Sequence, residues 1–183
     1  MSLWRIIVKY NVPFEIPKGV ISPIIRNATN YSELDFKTKD LKTIDELPVN
    51  YIRLDIIKWD PPEEVPYDLD RNIKNFKKYV ENEEYWYAHE EIEAIWSNSK
   101  GVDREIIQNI ILLLAAMVHY QMNKQESFKK LFSTSLNKLK EKGIIKSEIA
   151  YSYPLGREYV LSLVSYLDQY SRYEKYEENK AEN

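Results

Sequence analysis

No cysteine occurs in these 183 residues. That excludes a disulfide framework, a thiolate metal site and catalysis by a cysteine nucleophile. Glycine is scarce, at 4, and the chain carries no Gly-rich phosphate loop, nucleophile elbow or Rossmann fingerprint. Long apolar runs are missing as well. The longest, the nine residues Ile110 to Val118, falls short of the roughly 18 that a membrane-spanning helix needs, so no membrane partner is expected. The opening MSLWRIIVKY has no long apolar stretch ending in small residues, which predicts no secretory signal and makes a cytoplasmic location the default. A net charge of −3 argues against a globally basic nucleic-acid binder.

What is present is enough for a real core: hydrophobic residues make up 44% of the chain, above the level of disordered sequences. The pattern changes near residue 60. Before it, Leu3 to Tyr10 and Tyr51 to Trp59 are rich in β-branched and aromatic residues and alternate in polarity, predicting two strands that pair to hide one face. Pro13, Pro17 and Pro23 interrupt the stretch between them, so residues 11–50 are expected to hold turns and a short helix, around Ser22 to Thr29 or Lys39 to Glu46.

Asp60 to Pro66 contains three prolines and can continue neither a helix nor a central strand. Helical patterning dominates beyond it. Asp68 or Asp70 can cap a helix to about Asn82, and a second is expected from Glu84 to Ser97. Ile106 to Val118, apolar except for Gln108 and Asn109, reads as a central helix, with Asp103 as its cap. A fourth carries Phe128, Leu131, Phe132, Leu136 and Leu139 and stops at Gly143, and Pro154 opens a last helix to about Tyr176. The expected organisation is a small β-containing N-terminal unit over 1–60, a Pro-rich linker at 61–67, a helical domain over 68–178 and a polar tail at 179–183. The fold class is mainly α, a helical bundle of about five helices with a small strand-containing N-terminal unit.

Only two histidines occur, and both fall on predicted helices. His89 lies in Tyr85-Trp86-Tyr87-Ala88-His89-Glu90-Glu91-Ile92-Glu93-Ala94-Ile95-Trp96. A spacing of four stacks His89 and Glu93 on one helix face, where they can share an ion or a hydrogen bond. This is not the zinc-protease pattern, which needs a second imidazole where Glu93 stands. Folding the next helix back antiparallel levels Gln108 with Glu93 and brings His119 toward His89. The expected polar site is therefore His89, Glu93, Trp96, Gln108 and His119, with His89 and Glu93 as the candidate ligands of a divalent metal. In one reading this site binds a small ligand or metal; in the other the same groups only satisfy one another inside a helix pair of a non-catalytic interaction or scaffold module.

These residues resemble the domain of unknown function 309 family over about residues 68–142. The shared signature is an aromatic pair, Ala88-His89-Glu90-x-x-Glu93-x-x-Trp96, then Gln108 and His119. Where the family has Phe-Asn-x-Gly, this chain has Val80, Glu81, Asn82 and Glu83. The resemblance implies an all-helical domain with a polar site between helices, and no particular activity.

Two charge and aromatic patterns add weaker expectations. Glu81 to Glu93 holds six acids and no Lys or Arg, while Lys124 to Lys142 holds six lysines against Glu126 and Glu141. Mutual attraction of two helices is the favoured explanation; a nucleic-acid accessory role for the Lys-rich helix is the alternative. Tyr159, Tyr166, Tyr170, Tyr173 and Tyr176 string along the last helix, a stripe that suits a homo-oligomer interface.

Overall fold

The computed structural model describes residues 3–59, 65–145 and 163–181. The chain divides into two compact units, Met1–Glu64 with Gln121–Asn123, and Val65–Tyr120 with Lys124–Asn183. Residues 61–64 of the expected linker and the expected helix start at Pro154 lie outside the described residues.

The N-terminal unit is a four-stranded sheet. Strands β1 (Trp4–Tyr10), β2 (Ile21–Asn27), β3 (Ser32–Thr38) and β4 (Arg53–Lys58) lie in the order β2-β3-β1-β4, all neighbours antiparallel. The two expected strands do pair, Val8 opposite Leu54, but β1 is central and takes β3 on its other side. Two strands thus stand within 11–50, where turns and one short helix were expected, and β2 occupies the 22–29 alternative for that helix. Leu34 and Phe36 alternate with Glu33, Asp35 and Lys37 in β3, the period-two pattern that puts apolar and charged side chains on opposite faces of a strand. Pro23 is accommodated because β2 is an edge strand whose register shifts between Ile21 and Ile24, and Ser22 there takes φ 49°. The expected short helix near Lys39 to Glu46 is a 3-10 helix, Leu41–Glu46, capped by Asp40.

The sheet's faces differ in chemistry. Ile6, Val8, Tyr10, Leu34 and Phe36 form an apolar core with Leu47. The opposite face carries a buried charge lattice. Arg5 grips Asp35 through two bonds, Nε to Oδ1 at 2.9 Å and Nη2 to Oδ2 at 2.5 Å, and Arg26 bridges Glu33 at 2.6 Å and Asp35 at 2.7 Å. A forked guanidinium matches a carboxylate's two oxygens, so burial of these charges is offset by complete pairing.

The second unit is helical. It contains α1 (Leu69–Glu81), α2 (Tyr85–Asn98), α3 (Gly101–Gln121), α4 (Gln125–Glu141) and α5 (Val164–Ala181). Asp68 caps α1 by accepting from the Arg71 N–H. The third helix begins at Gly101, so Asp103 lies in its first turn rather than at its cap, and α5 continues past Tyr176 to Ala181. Phe76, Ile92, Ile95, Ile107, Leu113, Phe132 and Leu167 share one core with residues from each of the five described helices. The mainly α class is correct, with a larger N-terminal sheet than the two strands expected.

Three of these helices end in the same way. The N–H three residues past the last helical residue bonds a carbonyl five residues back: Glu84 to Tyr79 at 2.7 Å, Lys124 to His119 at 2.9 Å and Ile144 to Leu139 at 2.9 Å. This closure demands a left-handed residue just before the donor. Glu83 (φ 57°), Asn123 (φ 60°) and Gly143 (φ 72°) occupy those positions. Gly143 is the expected stop; Glu83 makes the turn without a glycine.

Candidate functional site

Helix α2 is divided by its periodicity. Tyr85, Ala88, Ile92 and Ile95 repeat at three and four residues and are buried in the core. Trp86, His89, Glu93 and Trp96 repeat at the same spacing on a second stripe. Glu91 flanks the core stripe on the side away from His89 and turns toward α1.

On the second stripe the His89 imidazole is flanked by two carboxylates. Its Nδ1 lies 3.6 Å from Glu90 Oε1, and its Nε2 lies 3.7 Å from Glu93 Oε1. Trp86 stacks against the ring, with centroids 5.9 Å apart and planes inclined by 12°. The site is graded in exposure: the His89 side chain is 18% exposed, Glu90 33% and Glu93 49%. His89, Glu90 and Glu93 each offer one donor atom, and these atoms lie within 4.8 Å of one another.

The five expected site residues separate. His89 and Glu93 face each other. Trp96 sits two helical positions before Asn98, the end of α2, and its ring carries the Arg104 guanidinium at 3.9 Å. Gln108 is half-buried on α3, and no hydrogen bond or ion pair joins it to Glu93 or His89 among the described residues. His119 is also half-buried, near the end of α3, and its Nδ1 has no hydrogen-bond partner. Burial, then the charge of Lys124, holds its pKa below the ordinary 6.5, which keeps this imidazole neutral at physiological pH.

Two participants were not picked out from the sequence. Glu90, next to the anticipated pair, supplies the second carboxylate because adjacent helical positions straddle the His89 ring. Glu91 is buried and accepts from Asn72 Nδ2 at 2.5 Å and Asn75 Nδ2 at 3.0 Å, tying α2 to α1. The Asn72 and Asn75 spacing on α1 was the available signal, since only a facing acceptor makes amides useful on an inward face.

No ion pair joins the lysines of 124–142 to the acids of 81–93 among the described residues. Lys142 bonds Glu105 of α3 at 2.6 Å, and Lys129 pairs with Glu126 of its own helix at 3.7 Å. The tyrosine stripe divides too. Tyr166 donates to Asp103 at 2.7 Å and Tyr170 is buried, whereas Tyr173 and Tyr176 are exposed; Tyr159 lies outside the described residues.

Residues 73–131 match the family model described as a domain of unknown function, DUF309. This stretch belongs to that family. The match spans Ile73 of α1 through Leu131 of α4, and so contains His89, Glu90, Glu93, Trp96, Gln108 and His119. It also contains Glu83, with its left-handed backbone at φ 57°. No curated protein and no solved structure matches the chain. No helix among the described residues is long and apolar enough to cross a membrane.

This arrangement has a definite chemical capacity. An imidazole nitrogen and a carboxylate at i and i+4 can converge on one divalent cation at about 2.0–2.2 Å each. Only one ring nitrogen can serve a given ion. With Nε2 facing Glu93, Nδ1 points toward Glu90 Oε1 at 3.6 Å but makes no hydrogen bond to it; closing that gap would orient the ring as carboxylates orient metal-bound histidines generally. Two protein ligands would leave most coordination positions to water or to a ligand's own oxygen atoms.

Proposed function

We propose that the helical unit binds a divalent metal ion through His89 Nε2 and Glu93, with Glu90 orienting the imidazole, and through that ion a small oxygen-rich ligand. The observation that carries this reading is His89 Nε2 lying 3.7 Å from Glu93 Oε1 on one partly open helix face, within a His89, Glu90 and Glu93 group whose donor atoms lie within 4.8 Å of one another. Exposure increasing from His89 to Glu93 supports it, because an ion arriving from solvent meets the carboxylate first and the imidazole last. Hydrolysis by metal-bound water is the chemistry such an open site permits.

A second reading, a non-catalytic interaction or scaffold module, is favoured by the Trp86–His89 stack, which anchors the ring without any ion. Metal analysis of the purified protein, followed by calorimetric titration with Zn²⁺ and Mn²⁺, separates the two. Binding that disappears in both His89→Ala and Glu93→Ala supports the metal site. Loss of thermal stability in these variants, with no ion bound by the parent protein, supports the scaffold. Nucleic-acid binding through the Lys-rich α4 ranks third, and oligonucleotide binding that is lost when its lysines are neutralised would revive it.

A further inference from the structure

Helix α1 has two working faces besides its core stripe. Asn72 and Asn75 turn to α2, whereas Asp70, Lys74 and Lys77 turn to α5 and line a cleft of about 470 Å³ with it. The floor of the cleft is apolar, formed by Ile73 and Val164. From α5, Ser171 donates to Asp70 at 3.0 Å and Lys175 pairs with the same carboxylate at 2.5 Å. Asp70 is thus neutralised, and these bonds hold its pKa below the ordinary 3.8.

The remaining charges are unbalanced. Lys74, Lys77 and Arg172 are exposed at the cleft and have no hydrogen-bond or ion-pair partner among the described residues, and Asp168 is the one other acid in the lining. Three cations against one anion leave a local charge of +2 in a chain whose net charge is −3. Like charges held a turn apart repel, so an ordinary solvated helix pair has no reason to gather them across a shared cleft. A bound anion would relieve that repulsion. The chemistry fits phosphate: a guanidinium fork on one wall and two flexible ammonium groups on the other.

We infer that the α1–α5 cleft is a binding site for a small phosphorylated ligand bearing at least two negative charges, held by Lys74 and Lys77 from one wall and Arg172 from the other. The volume suits a small molecule. A long polyanion is disfavoured, because α1 runs directly into the acidic residues Glu81, Glu83 and Glu84. The site is separate from the His89 cluster and does not depend on the metal reading.

Inorganic pyrophosphate is the probe, titrated calorimetrically into the full chain at low ionic strength with EDTA present, beside ADP and a single-stranded oligonucleotide of about twenty nucleotides. Pyrophosphate and ADP should both bind, and His89→Ala should leave that binding unchanged. Lys74→Gln, Lys77→Gln and Arg172→Gln should each weaken it about three- to fivefold, the range of an exposed charge pair. Circular dichroism should stay constant, since all three side chains are exposed. Absence of pyrophosphate binding, or binding indifferent to all three substitutions, overturns the inference. Oligonucleotide binding tighter than that of pyrophosphate, lost in the same variants, overturns the assignment to a small ligand.

Discussion

Asn72 of α1 donates to Glu91 of α2 at 2.5 Å, while its own carbonyl oxygen accepts from the Asp68 N–H at 2.7 Å. One buried amide therefore both closes the start of α1 and satisfies the carboxylate inside α2. Asn72→Ala removes both partners at once. The expected cost is about 2–4 kcal/mol, because a buried carboxylate loses a donor and a helix start loses an acceptor. Urea denaturation checks it. A paired Asn72→Leu, Glu91→Leu variant should recover a large part of the loss, which a simple packing defect would not.

Glu83 holds a left-handed backbone at φ 57°, the position where glycine costs nothing and an L side chain is strained. Glu83→Gly and Glu83→Ala both delete the side chain and differ only in that backbone cost. The glycine variant should be the more stable of the two by about 1 kcal/mol. Equal denaturation midpoints would mean that the turn opens in solution.

Helical periodicity made the second unit legible, because a greasy run at 106–118 and caps such as Asp68 act locally. The His89–Glu93 pairing was legible for the same reason: a spacing of four is geometry within one helix. Gln108 and His119 were harder, since their relation to α2 depends on the rotation of α3 about its own axis, which sequence offset does not set. Strand β3 was overlooked because its alternation is carried by only Leu34 and Phe36 on one side and charges on the other. Those charges find partners only after Arg5 and Arg26 arrive from different strands.

The sheet's charge lattice should make the protein acid-sensitive. Burial alone would raise the Asp35 pKa, but the Arg5 hydrogen bonds and the charges of Arg26 and Arg5 outweigh it, leaving it below the ordinary 3.8. A carboxylate whose folded pKa is depressed binds fewer protons than in the unfolded chain. Its stabilisation is complete above about pH 4 and is lost as the pH falls through the folded value. Asp35→Asn should lower stability at pH 7 and flatten the decline between pH 4 and 2, as followed by thermal melts across that range.

His119 acts in a different window with the same sign. Its pKa is depressed below 6.5 by burial and then by Lys124, so the unfolded chain takes up its proton first. Stability contributed by keeping the imidazole neutral is full above about pH 6.5 and falls as the pH drops toward the folded value. His119→Gln cannot titrate and should remove this part of the slope between pH 7 and pH 5. Lys124→Gln should weaken it. Melting temperatures of the three proteins against pH provide the measurement, and parallel curves would contradict the assignment.

Arg104 joins the end of α2 to the start of α3 in two ways. Its guanidinium lies 3.9 Å from the Trp96 ring, and its Nη1 donates to the carbonyls of Trp96 at 3.2 Å and Ser99 at 3.3 Å. Those carbonyls lie at the negative end of the α2 dipole, where a cation is favourable. Lysine can supply the charge there but not the flat, multiply donating group that stacks on an indole while bonding two oxygens. Arg104→Lys should therefore retain part of the stability and Arg104→Ala little, with a loss of about 1–2 kcal/mol for the alanine variant. Because Trp96 lies one turn beyond Glu93 on the same stripe, the alanine variant should also loosen the end of α2. Hydrogen exchange at Ile95 to Asn98 should accelerate in Arg104→Ala while exchange at Tyr85 to Ala88 stays slow, and uniform acceleration along the helix would show that Arg104 stabilises the unit as a whole instead.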